Sequence, residues 1–96
     1  MNIGKAIKEL RLEKNLNQTE LAKQCDLTQT SLSQIESGIK RPNPSTLKKL
    51  CDFFEVPEAV VYLIATDISD VPEHKRELFE KLFPNLKKAL IDMLIK

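Results

Sequence analysis

The chain has 96 residues, 42% of them apolar and 30% charged, which is enough for one compact domain with its own core and excludes disordered or fibrous classes. No run of about 18 uncharged apolar residues occurs, and the amphipathic start MNIGKAIKEL is unlike a signal peptide, so a cytoplasmic protein is expected, with no membrane partner. The net charge of +1 hides an asymmetry: residues 1–49 carry nine Lys/Arg against five Asp/Glu, residues 50–96 six against nine, which favours a polyanion at the N-terminal half.

Ile3, Ala6, Ile7 and Leu10 recur at helical spacing with Lys5, Lys8, Glu9 and Glu13 on other faces, predicting an amphipathic first helix over residues 2–14. Arg11 lies one turn after Ile7, at the edge of that stripe. Asn17 is a good N-cap, and Glu20 can return the hydrogen bond to the cap's own N–H. A second helix should therefore begin there and run to about Cys25, burying Leu21, Ala22 and Cys25. Asp26 and Leu27 then break the pattern, Thr28 offers another N-cap, and Gly38 marks the stop of a third helix.

Wound at roughly 100° per residue, the third helix sorts into two faces. Leu32 and Ile35 lie together with Ser31 beside them; Gln29, Thr30, Ser33, Gln34 and Ser37 lie opposite, and Glu36 sits on the flank between. A helix face that only meets solvent usually mixes Lys and Glu. This one offers amides, which match adenine N6/N7, and hydroxyls, which suit several base edges. Taken alone, the pattern also fits a merely solvated polar face.

Beyond Gly38, Lys40 and Arg41 precede Pro42, and Asn43 with Pro44 forms a strong helix start, since proline at the first helical position loses no needed donor. Lys48 and Lys49 extend this basic patch or form a solvated helix face. Leu47, Leu50, Cys51 and Phe54 give a fourth helix; Val56-Pro57 ends it and begins a fifth. Residues 59–65, AVVYLIA, are apolar nearly all round, so this helix must be covered on more than one side. A polar linker, Thr66 to Val71, leads to Pro72, where a last helix is expected to start with Glu73 and Glu77 near its positive end. Leu78, Phe79, Leu82 and Phe83 form its stripe, Pro84 kinks or restarts it, and Leu86, Leu90, Ile91, Met93, Leu94 and Ile95 follow. From Leu78 to Ile95, 11 of 18 residues are apolar. One contact face needs about three or four per two turns, so the tail is expected to pack both on helix five and on a second copy.

Cys25 and Cys51 fall at helical core positions beside Leu21 and Leu50, and read as buried small apolar residues rather than a disulfide or metal pair. His74 is solitary, and no Gly-rich phosphate loop or metal-ligand spacing is present, so neither catalytic residues nor a cofactor is expected.

NQTELA opening the second helix, Leu27-Thr28-Gln29 leading into the third, SxxxIExG over Ser31–Gly38, and Lys40-Arg41-Pro42 before a capped helix together resemble the helix-turn-helix family of phage Cro and lambda-type repressors, also called XRE-like. The resemblance covers about residues 3–65 and implies an all-α fold: a five-helix lambda-repressor-like DNA-binding domain, residues 1–66, followed by a C-terminal helical extension, residues 67–96. The family's third helix enters the major groove. Carried over by position, Gln29, Thr30, Ser33 and Gln34 are base-contacting, whereas Gln18, Thr28, Lys40 and Arg41 contact phosphates, helped at Gln18 by a helix N-terminus. An Arg and a Glu at the positions of Arg11 and Glu36 form an internal ion pair in the family, which makes Glu36 structural. The family's turn usually has Gly where this chain has Asp26, one of the residue types that tolerate the left-handed conformation.

The expected function is that of a sequence-specific, double-stranded-DNA-binding transcriptional regulator. Homodimerisation through residues 78–95 would set recognition helices about 34 Å apart over a pseudo-palindromic operator. The alternative is an antitoxin-like interaction protein whose C-terminal segment binds a protein partner, because excess apolar surface serves either end.

Overall fold

Four of the helices in this protein begin at a side-chain cap that the sequence places just ahead of an apolar run. In the computed structural model, which describes residues 1–95, Asn2, Asn17, Thr28 and Asn43 each accept a hydrogen bond from the backbone N–H three residues on, at 2.8–3.0 Å. These caps open α1 (Ile3–Glu13), α2 (Gln18–Gln24), α3 (Gln29–Glu36) and α4 (Pro44–Phe54). At Asn17 the Glu20 carboxylate also accepts from the cap N–H at 2.9 Å, completing the reciprocal box. α5 (Glu58–Ala65) and α6 (Arg76–Ile95) complete an all-α architecture, with 3₁₀ turns at Ile68–Asp70 and Glu73–Lys75 between them. No strand occurs among the described residues.

The helices stop where the chain turns left-handed. Asn15, Asp26 and Glu55 have φ of 57°, 54° and 58°, and Gly38 has φ of 83°. Asp26 thus adopts the left-handed conformation expected at the turn position where the resemblance implied glycine. A non-glycine residue there costs about 1–2 kcal/mol, less for Asn and Asp, which bond locally.

The core gathers the apolar stripe of every helix of the motif: Ile7 and Leu10 of α1, Leu21 of α2, Leu32 and Ile35 of α3, Leu50 and Phe54 of α4, Val61 and Ile64 of α5 are all essentially inaccessible to water. Burial of each such side chain stabilises the fold by about 1.5–3 kcal/mol. Cys25 and Cys51 are free thiols inside this core, and desolvation pushes Cys51 up to about 11 and Cys25 upward as well. α1 is the shared brace, in contact with α3, α5 and α6. The backbone N–H of Asn2 donates to the carbonyl of Ala65 at 2.8 Å, tying the start of α1 to the end of α5. Alongside, the α-amino group of Met1 pairs with Asp67 at 2.9 Å and Asp70 at 2.8 Å.

The C-terminal third differs from expectation in four respects. The segment read as a polar linker is an ordered 3₁₀ turn capped by Asp67, whose carboxylate also accepts from the Ser69 hydroxyl. The last helix does not start at Pro72: the chain first makes a 3₁₀ turn and enters α6 at Arg76, whose Nε donates to the Val71 carbonyl at 3.0 Å. Pro84 does not restart the helix, which continues through it and gives up one backbone bond there. The main support of α6 is α1 rather than α5: Ile91 is buried in the core cluster, and Lys87 Nζ donates to Glu9 Oε1 at 2.9 Å. One side of α5, with Tyr62 and Leu63, consequently stays exposed to solvent. The expectations for the side chains of Leu94 and Ile95 lie outside the described residues. No helix among the described residues is long and apolar enough to cross a membrane.

Candidate nucleic-acid interface

α3 buries Leu32 and Ile35 against the core and turns its other face outward. Gln29, Thr30 and Ser37 are exposed and Ser33 and Gln34 half-exposed, so the amide and hydroxyl face of the sequence is the accessible face of the folded helix. It carries no carboxylate: Glu36, the only acid of α3, is turned inward and is 8% exposed.

Glu36 meets Arg11 from α1 in a two-pronged contact. Arg11 Nε donates to Oε2 at 2.8 Å and Nη2 to Oε1 at 2.9 Å, the planar fork-to-carboxylate geometry that arginine is suited to. A third arginine donor, Nη1, reaches the Leu16 carbonyl at 2.8 Å in the connection between α1 and α2. One guanidinium therefore fixes α1, the start of α2 and the end of α3 together.

The chain of bonds continues outward. Gln18, first residue of α2, donates from Nε2 to Glu36 Oε1 at 3.2 Å, and its own Oε1 accepts from Gln29 Nε2, first residue of α3, at 2.9 Å. Gln29 is left with its carbonyl oxygen and one amide hydrogen, the acceptor and donor that a bidentate contact to adenine requires. Gln18 retains its second amide hydrogen, at the edge of the same surface. Its bonds to Gln29 and Glu36 were not foreseen. The available signal was that both glutamines occupy the first position of helices joined by a short turn, which brings their side chains to the same edge.

A second unforeseen contact is at Gly4, where α1 crosses the C-terminal turn of α3. A Cβ added there would lie 2.0 Å from the carbonyl oxygen of Ile35. Only glycine admits so close a backbone approach, which sets the depth at which α3 sits.

Thr28 caps α3 through its hydroxyl. At the other end of the helix the N–H of Gly38 donates to Ile35 and that of Lys40 to Gln34, both at 3.1 Å, which folds the loop back under the helix. Lys40 and Arg41 are exposed on this loop, beside a cleft of about 440 Å³ that also reaches Asn2 and Gly4. Ile39 is 78% exposed next to them. Lys48 and Lys49 are engaged elsewhere, with Asp52 at 3.0 Å and Asp26 at 3.8 Å, at the α2 side of α4. No group of three or more metal-binding side chains occurs among the described residues.

The family model described as Helix-turn-helix matches residues 7–61. The chain is 32% identical over 85 residues to the cryptic phage CTXphi transcriptional repressor RstR of Vibrio cholerae, covering 88% of this chain and 77% of that one. It is 33% identical over 78 residues to the uncharacterized HTH-type transcriptional regulator RghRB of Bacillus subtilis (strain 168), covering 80% and 56%. With the ImmF control region 10 kDa protein of Bacillus phage phi105 it shares 44% over 48 residues, 50% and 53% of the two chains. The chain thus spans about half the length of the latter two relatives. No solved structure matches it significantly.

Proposed function

Since the chain belongs to the helix-turn-helix family of phage Cro and lambda-type repressors, we propose that it binds double-stranded DNA sequence-specifically as a transcription regulator. The observation that carries this reading is the outward face of α3: uncharged amides and hydroxyls, kept free of any acid because Arg11 holds Glu36 inward. In this assignment Gln29, Thr30, Ser33 and Gln34 read base edges in the major groove, with Gln29 held in one orientation by Gln18. Gln18 and Thr28, at helix N-termini, and Lys40 and Arg41, beyond the far end of α3, meet phosphates and add affinity without sequence information. The chemistry is binding without catalysis.

In the same reading residues 1–66 form the DNA-binding unit and residues 67–96 its extension. The protein acts as a homodimer through residues 78–95, because one recognition helix spans few base pairs and four large apolar side chains of α6 stand in solvent. A two-fold dimer demands a pseudo-palindromic site with half-sites about 10 bp apart. Selection of bound duplexes from a random pool tests this directly. An enriched pseudo-palindrome is the expected result; a pool that remains random after several rounds refutes sequence-specific binding.

A further inference from the structure

We infer that the outer face of α6 pairs with the same face of a second copy in the antiparallel sense, with residue 84 at the two-fold axis. This rests on the homodimer reading above and gives it a direction and a register.

The inner side of α6 is committed to its own domain through Ile91 and the Lys87–Glu9 ion pair. The outer side is a groove of about 280 Å³ lined among others by Val71, Lys75, Phe79 and Leu82. Leu78, Leu82, Leu86 and Met93 are 61%, 60%, 51% and 78% exposed. Lys75, Phe79, Leu82, Leu86, Ala89 and Met93 follow one another at alternating steps of four and three residues, the spacing of a helix seam that faces another helix.

The order of side chains along that seam decides which occupant fits. Reversed about residue 84, the seam sets Phe79 against Ala89 of the second copy, a large side chain against a small one, and Leu82 against Leu86. Lys75, the only cation in the seam, falls beside Met93 and Asp92 of the second copy, and each relation occurs twice by symmetry. Aligned in the same direction, the seam would set Phe79 on Phe79, leave a gap between two alanines, and oppose Lys75 to Lys75. Size and charge both complement in the reversed arrangement and both clash in the other.

Cysteines at the exposed ends of the seam test this in the full chain. Lys75→Cys and Met93→Cys chains, mixed under reducing conditions and then oxidised, are expected to yield a disulfide-linked heterodimer. Either chain alone should stay unlinked, because like positions lie about 27 Å apart along an antiparallel pair. The parent chain, with only buried Cys25 and Cys51, is the control. Efficient linking of the Lys75→Cys chain to itself would show parallel pairing and overturn the proposal. A dimer by sedimentation that links in no combination would overturn this direction and register while leaving dimerisation itself standing; a monomer at tens of micromolar would sink both. As an independent measure, Lys75→Glu should raise the dimer dissociation constant up to about tenfold, and Asp92→Lys in the same chain should restore it. Additive weakening by the two changes would count against the register.

Discussion

Gln18 and Gln29, 11 residues apart, are joined by a 2.9 Å hydrogen bond between their side-chain amides. Gln18 is in turn anchored to the carboxylate that Arg11 holds. The outermost base-reading candidate therefore rests on a buried ion pair through a single intervening side chain. That arrangement lets Gln18 position the Gln29 amide, in addition to the phosphate contact proposed for it.

Gln29→Ala and Gln34→Ala should each lose about 1–3 kcal/mol of discrimination at one base pair. Gln18→Ala should lower discrimination at the same base pair as Gln29→Ala, and the double substitution should cost less than the sum of the two, because the bond is shared. Titrations on cognate and singly substituted duplexes measure this. Equal losses on cognate and scrambled DNA for Gln29→Ala and Gln34→Ala would remove the recognition assignment.

Lys40→Ala or Arg41→Ala should weaken binding to all duplexes alike and reduce the log–log salt slope by about one unit each. Lys48→Ala, whose ammonium is engaged with Asp52 on α4, should leave that slope unchanged. Binding measured at four or more salt concentrations separates the two outcomes.

Arg11→Ala or Glu36→Ala should destabilise the fold by about 3–5 kcal/mol, since each leaves a charge buried and unpaired. Replacing both by Met should cost far less, although Gln18 then loses its anchor. Urea denaturation of the three variants gives the comparison. A cost under about 1 kcal/mol for the single changes would mean that the pair behaves as a solvent-exposed one.

Gly4→Ala gains about 1 kcal/mol of helix propensity, yet the Cβ would stand 2.0 Å from the Ile35 carbonyl. Net destabilisation of about 1–3 kcal/mol is expected from the forced separation of α1 and α3. DNA affinity should fall with it at temperatures where the variant is still folded. Calorimetry and duplex binding on the same sample check both parts.

The clasp at Met1 predicts a pH profile. Hydrogen bonds that the α-ammonium donates to the carboxylates of Asp70 and Asp67 raise its pKa above 8.0, so its stabilising contribution is complete below pH 8 and fades as pH rises through the shifted value. The Ser69 hydroxyl and the Met1 amine hold Asp67 down at about 2, and the Asp67 N–H together with the amine lowers Asp70. The carboxylate contribution is therefore present above 3.8 and fades toward pH 2. Acetylating the α-amino group should lower Tm most between these limits and flatten its alkaline fall. An acetylated chain with an unchanged Tm–pH curve would show that the clasp adds nothing in water.

The motif was legible because its signals are local. Asn17, Thr28 and Asn43 cap helices within three residues of themselves, and the stripe of Leu32 and Ile35 assigns the outer face of α3 without further information. Where a contact depends on how distant helices pack, the sequence was silent. Nothing near Gly4 announces that the Ile35 carbonyl will pass over it, and nothing near Ile91 or Lys87 says that α6 will choose α1 over α5. Pro84 misled for a related reason. Its local penalty is about 3 kcal/mol, but Ile91 in the core and the Lys87–Glu9 ion pair keep the helix in place through contacts made far along the chain.

The bond from Asn2 to Ala65 carries a consequence for the order in which the chain folds. It closes a loop of 63 residues, which costs roughly 1–2 kcal/mol more in chain entropy than a loop of about ten. α2 and α3, joined by a short turn, can meet as soon as both exist. α1 can pack on α3 once that helix exists, but it lacks the rest of its cover until α5 arrives, and until then part of its apolar side stays open to solvent. A nascent chain halted before α5 would therefore hold α3 against a brace that is covered on one side only and not yet tied down at Asn2.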